Sequence, residues 1–399
     1  MSNTAEQPQL PRGHTLLADG FRPFFLGAAL WAALAMVLWI AMLSGFPVLP
    51  TAFDPVSWHA HEFLYGYLMA VVAGFVLTAI PNWTGRPALI GWPLGGLFAL
   101  WIVGRAVVSI SAYLPWLTVA LIDLAMPTAL TAIVAREIVA GRNWRNLIIL
   151  GILIALIGGN AVFHWEHARQ DQAAGGYGLR IGLAAAVMMI AVIGGRIVPS
   201  FTRNWLVKRG PGRLPAPPMQ SFDKIALLVL LVALTLWVAA PLDRTTATAL
   251  LIGGALHLIR LTRWAGHRTW AEPLVLVLHL GYLFLPLGAI CLAVELVLPG
   301  AFGMAAAQHL WLAGAIGLMT LGVMTRATLG HSGRALSAGV GTTILYLALI
   351  GAVSARVLAG VWPAQSEWLH SISGLCWLTA FGGFALLYGP LLLRPKPES

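Results

Sequence analysis

Charge is scarce in this sequence. Of 399 residues only 10% are Asp, Glu, Lys or Arg, against about 25% in a soluble domain. That scarcity excludes an ordinary soluble protein. Cysteine is nearly absent as well. The two present, Cys291 and Cys376, fall inside apolar segments, so the chain has neither a disulfide framework nor a CxxC metal motif. They read as packing residues. Acids are few, 14 against 24 Lys and Arg. The resulting formal charge of +10 reports orientation in a membrane rather than nucleic-acid binding.

What the chain has is apolar length. It is 59% hydrophobic, and runs of about 20 apolar residues, enough to cross a bilayer as a helix, recur from end to end. The pattern predicts an all-α polytopic membrane protein with twelve spans. They fall at about 22–44, 57–80, 88–108, 113–135, 145–165, 179–201, 222–241, 246–265, 272–298, 304–327, 338–360 and 367–391. No cleavable signal peptide is expected, because residues 1–20 are polar and the next apolar run is long enough to span. The longest connection, 202–221, is basic and rich in Pro and Gly. It divides a single membrane domain, 1–399, into halves 1–201 and 222–399. No internal repeat stands out. With the N-terminus in the cytoplasm, the outer side holds only Arg105, Arg169, Arg180, Arg244 and Arg356. All other Lys and Arg, from Arg12 to Lys396, fall inside. The bias predicts that both termini are cytoplasmic.

Histidines stand out against this background. The stretch WHAHEFLYGY at 58–67 opens the second span with His59, His61 and Glu62, residues that are costly in a bilayer. Counting along the helices at about 1.5 Å per residue, His164 at the end of span 5 and His309 near the start of span 10 reach the same outer level. His167 and His370 lie nearer water there. Imidazole is the commonest metal-ligating side chain and suits haem iron and copper. Four histidines at one depth therefore predict metal binding, although any one of them also fits a packed histidine bonded to a neighbouring carbonyl. Residues two apart on a regular helix point about 200° from each other. His59 and His61 should thus serve two centres, or one centre and its surroundings. Glu62 is expected on the His59 face and Tyr65 on the His61 face. Asn160, one turn before His164, is expected to orient that ring. Asp123 and Arg105 read as a polar path or an interhelical salt bridge. An inner group comprises His257, His279 and His331, the last in a loop. His14 and His267 read as surface residues.

Several stretches together resemble the NnrS family: GFRPFF at 20–25, WHAHE at 58–62, GFVLTAIPNWTGRP at 74–87, GGRIVPSFTRNW at 194–205, HLGYLFLPLG at 279–288 and MTRATLGHSGRAL at 324–336. The resemblance covers nearly the whole chain. It implies a twelve-helix, multi-pass protein of the bacterial inner membrane that binds haem and copper and serves denitrification or resistance to nitric oxide. His59, His61, His164, His279, His309 and His331 fall on the family's histidine motifs, and His257 matches less distinctively. On this footing one or two haem b groups, and copper or another second metal ion, are the expected cofactors. Depth and helix face then assign His61 and His309 as axial haem ligands. His59 and His164 are assigned to a second metal, with Glu62 as ligand or proton donor. The inner trio of His257, His279 and His331 is expected to serve a second haem or electron uptake. Arg196 and Arg326 pair its propionates or belong to ordinary positive inner loops. The expected partners are nitric oxide, membrane lipid and an electron donor, a quinol or a redox protein. The implied activity is that of a nitric oxide reductase-like oxidoreductase. A haem-bearing sensor or scavenger of nitric oxide without turnover, and a secondary transporter, are the alternatives.

Overall fold

Helix starts follow from local sequence. Asp54 caps the second span, its carboxylate accepting hydrogen bonds from the amides of Val56 at 3.0 Å and Ser57 at 2.9 Å. Pro55 supplies a preset backbone angle at the first helical position. Asp243 caps the eighth span in the same way, and the Thr245 hydroxyl and amide hold its carboxyl below the usual range.

The computed structural model describes residues 15–170 and 172–395; Arg12, His14 and Lys396 lie outside the described residues. Twelve helices are long and apolar enough to cross a membrane. They are α1 (Phe21–Leu43), α2 (Pro55–Thr84), α3 (Trp92–Ser109), α4 (Trp116–Ala140), α5 (Trp144–Ala168) and α6 (Tyr177–Arg209), then α7 (Ser221–Ala239), α8 (Arg244–Arg268), α9 (Pro273–Val297), α10 (Met304–His331), α11 (Val340–Val361) and α12 (Pro363–Leu393). No strand occurs among the described residues. The expected spans are all present. The largest departure is α6, which runs into the expected 202–221 connection. Its end is amphipathic, and Arg209 lies over the Trp205 ring at 4.3 Å, a pairing that keeps this turn helical at an interface. α10 likewise extends through His331, which was expected in a loop.

The helices form two tiers. Between 61% and 78% of the membrane-length windows of α2, α6, α9 and α10 is buried, against 33–44% for the rest. The first set is therefore central. α1 packs against both α2 and α12, so the first and last spans are neighbours. Arg22 fixes this closure. Its guanidinium donates to the carbonyls of Leu392 (3.0 Å) and Arg394 (2.9 Å) at the end of α12, and to Asp19 (2.8 Å), placing a cation at a helix C-terminus.

Three central helices carry a widened π turn: Glu62–Tyr67 in α2, Ile190–Gly194 in α6 and Leu310–Gly317 in α10. These segments free carbonyls from the regular ladder, and π turns gather at functional sites. Side chains take up some of the freed groups. The Gly66 carbonyl accepts Trp101 Nε1 at 3.0 Å, and the Ala191 carbonyl accepts Arg260 Nη1 at 2.8 Å.

The contact of α2 with α6 is tight. Tyr65 Oη donates to the Gly178 carbonyl at 2.7 Å, and a Cβ at Gly182 would lie 2.1 Å from that oxygen. Gly182→Ala is therefore expected to destabilise the bundle by about 1–3 kcal/mol through overpacking, read as a lower melting temperature in detergent. Adding Tyr65→Phe should recover part of the loss.

Candidate functional site

At the end of the bundle where α2 begins, two groups of side chains lie on either side of that helix. The first is a buried polar knot. Arg105 of α3 donates through Nη1 to Glu62 Oε1 at 2.5 Å and through Nη2 to Asp123 Oδ1 of α4. Asp123 Oδ2 accepts Asn160 Nδ2 at 2.7 Å and His164 Nε2 at 3.1 Å, both from α5. His61 Nδ1 contacts Glu62 Oε1 at 2.9 Å, while Nε2 lies 3.0 Å from Asn160 Oδ1 and 3.2 Å from Asp123 Oδ2. None of these residues is more than 4% exposed, so four helices are joined by charges that water does not screen. Gly66 makes room for them, since a Cβ there would sit 2.7 Å from Arg105 Nη1 and 2.9 Å from Glu62 Oε2.

The charge of the knot can be counted. One guanidinium faces two carboxylates, leaving one negative charge. Both ring nitrogens of His61 face oxygens, and Asn160 turns its acceptor to His61 because its amide donates to Asp123. This is the hydrogen bonding of an imidazolium, whose proton makes the knot neutral. A metal ion is the other way to supply the missing charge. The ligand atoms of His61, Asp123 and His164 all lie within 4.8 Å of one another. Two imidazoles and a carboxylate oxygen suit a first-row divalent ion such as copper or zinc, and Glu62 on the second nitrogen of His61 is the usual orienting partner of a ligating histidine.

The second group lines a cavity of about 310 Å³ between α1, α2, α6, α10, α11 and α12. Aromatic and apolar side chains such as Trp39, Phe63, Tyr67 and Trp377 form most of its wall, with His59, His309, Arg356 and His370 among them. His59 stacks on Trp39 with ring centroids 4.1 Å apart, and its Nδ1 is buried without a partner. The His309 ring lies 6.4 Å from that of His59 and within 8° of parallel. His309 Nδ1 donates to the Ala305 carbonyl at 2.6 Å, which fixes the tautomer and leaves Nε2 as a free electron-pair donor. Two imidazoles on different helices, one pinned and one unpartnered, across an aromatic-walled cavity fit a tetrapyrrole iron.

The split between His59 and His61 thus follows the expected helix angle, but the partners differ from those expected. His61 does not meet His309, and His59 does not meet His164. His61 pairs with His164, and His59 with His309. Glu62 joins His61 rather than His59, because the helix widens into a π turn at Glu62 and three-residue spacing no longer marks one face. Asn160 serves His61 and Asp123 instead of orienting His164.

The inner histidines do not converge. His257 donates from Nε2 to the Ala226 carbonyl at 3.2 Å and accepts from Tyr282 Oη at 2.8 Å, beside the buried Arg260–Asp223 pair. His279 Nε2 contacts Thr202 Oγ1 at 2.8 Å, and the exposed His331 lies against Phe21. Among the described residues these three share no hydrogen bond or ring contact with one another. Arg196 donates to Asn146 at 3.1 Å, and Arg326 covers the Phe201 ring at 4.1 Å.

A model of the family described as NnrS protein matches residues 15–396. The chain belongs to the NnrS family. No curated protein matches the sequence. Membership in the NnrS family fits a nitric-oxide-related membrane protein, and the twelve spans make this one multi-pass. Within the NnrS motif WHAHE, the two histidines belong to different centres. The members of these centres that histidine spacing misses are Asp123, Asn160, Arg105, Arg356 and His370. For the first four the one signal in the sequence is charge or amide inside an apolar span; His370 is marked by its outer level.

Replacing Asp123 by Asn would leave Glu62 as the only counter-charge of Arg105 and turn one carboxylate oxygen into an NH2, so that either Arg105 or the pair of His61 and His164 loses its acceptor. The expected cost is about 3–5 kcal/mol, typical for breaking a buried ion pair. Arg86→Gln breaks the more exposed pair with Glu137 and should cost no more than about 1 kcal/mol. Thermal melts of the two variants in one detergent check the ranking.

Proposed function

We propose that this chain holds a haem in the cavity at His309 and His59 and reduces nitric oxide there. The observation that carries the reading is the unlike bonding of the two imidazoles. His309 has its Nδ1–H fixed by a backbone carbonyl, as a ligating histidine does. His59 has no such partner and stands across the cavity. His309 is thus the residue that would hold the iron, and His59 faces the reacting side. A bound haem supplies a redox-active iron with an open position for a diatomic ligand.

The residues of the chain then have distinct tasks. The aromatic wall keeps bulk water from the cavity and admits a small apolar substrate from the membrane. His59 offers a proton at Nδ1. The knot behind it stores another on His61, held by Glu62 and Asp123. Reduction of two nitric oxide molecules to nitrous oxide and water consumes two electrons and two protons; a quinol or a redox protein is the donor class for the electrons. In place of that proton a second metal ion would be held by His61, His164 and Asp123, copper being the one the family resemblance implies. The Lys and Arg bias supports both termini in the cytoplasm of a bacterial inner membrane, which turns the cavity outward.

The reading predicts different losses for the two groups. His309→Ala should purify with less than about a tenth of the wild-type haem. His59→Ala should keep its haem and change the spectrum of its nitric oxide complex. His61→Ala and His164→Ala should keep haem and lose any second metal measured by elemental analysis. Unchanged haem in His309→Ala would sink the assignment. With nitric oxide and an electron donor under anaerobic conditions, nitrous oxide should accumulate over many turnovers. Binding without accumulation would make the protein a scavenger or sensor.

A further inference from the structure

Arg356 is a charge without a counter-charge. It projects from α11 into the aromatic-walled cavity. The fully buried arginines near the central helices have carboxylates: Arg105 has Glu62 and Asp123, and Arg260 has Asp223. Arg356 forms no salt bridge among the described residues. Its Nη1 donates to Nε2 of His370 on α12, a neutral acceptor, and its Nε is sealed from solvent with no hydrogen-bond partner. Because His370 accepts at Nε2, its own proton sits on Nδ1. This end of the cavity therefore carries one positive charge that no carboxylate compensates. His59 and His309, the other imidazoles of the cavity, add no negative charge.

An unpaired guanidinium facing an apolar chamber inside a membrane is costly. A ligand that brings an anionic oxygen removes that cost. The planar fork of arginine matches a carboxylate with two parallel hydrogen bonds. The rest of the wall is aromatic and aliphatic, so the ligand must carry its carboxylate on a flat apolar body. We infer that Arg356 and His370 form a carboxylate-binding subsite that anchors a propionate of the tetrapyrrole held at His309. This inference rests on the haem reading above and assigns the orientation of that group in the cavity. A phospholipid phosphate is the rival source of an anionic oxygen.

The test uses the purified full-length protein. Arg356→Gln should retain haem with the wild-type Soret position, because the iron ligand is untouched. It should release haem to excess apomyoglobin roughly tenfold faster, and its midpoint potential should fall, because a positive charge near the iron is gone. Arg356→Lys should recover part of both effects, and His370→Asn should show a smaller acceleration. If Arg356→Gln does not fold, the other two variants carry the comparison. With haem dimethyl ester in place of haem, wild type and Arg356→Gln should release at the same rate. Wild-type release and an unchanged potential in a haem-loaded Arg356→Gln would overturn the inference. So would a loss of bound phospholipid, measured as phosphorus per chain, with haem release unaffected. A wild-type protein without a Soret band would instead defeat the haem reading itself, and the subsite with it.

Discussion

One guanidinium organises this end of the protein. Arg105 reaches from α3 to carboxylates on α2 and α4, and through Asp123 the contact extends to two residues of α5. In a medium without water each of these groups depends on the others. The knot sets the rotation of α2, because Glu62 and His61 must both point toward Arg105 and Asp123. Once that rotation is fixed, His59 has to face the opposite side, where the cavity lies. The geometry of the aromatic chamber is in this sense a by-product of an ion pair on the other side of the helix.

The two sides of α2 are electrostatic opposites. The knot has one negative charge too many unless a proton or metal ion joins it. The chamber has one positive charge too many, on Arg356. Each imbalance favours capture of a particular kind of guest, a cation on one side and an anion on the other. Tyr67, three residues past Leu64 on the chamber wall, donates to Thr320 Oγ1 at 2.6 Å, and Thr320 in turn donates to the Ile316 carbonyl. α2 is thereby also held against α10 below the chamber.

Most of the fold was legible in the sequence. A run of about 20 apolar residues has few ways to satisfy its backbone other than as a spanning helix, so the spans followed directly. The separation of His59 from His61 was also legible, because it depends only on the angle between neighbours on one helix. Which histidine meets which was not. Partners across helices depend on rotation and crossing, and here on a π turn whose onset at Glu62 leaves no mark in hydropathy. Asp123 was visible as a misplaced charge, but its role as the acceptor common to Arg105, Asn160 and two histidines needed three dimensions. Arg356 and His370 looked peripheral when depth was counted from helix ends. They are lining residues because the chamber opens near those ends. The recurrence of a π turn in α2, α6 and α10 likewise has little counterpart in residue identity, since EFLYGY, IAVIG and LWLAGAIG have only a glycine in common.

The closure made by Arg22 has a consequence for how the protein comes into being. Its acceptors, the carbonyls of Leu392 and Arg394, lie some 370 positions later in the chain. While the ribosome is still working, the first helix sits in the membrane with a guanidinium that has no acceptor but Asp19. The bundle cannot be sealed until the last helix has been synthesised and inserted. A chain that stops early leaves this guanidinium without its two carbonyl acceptors.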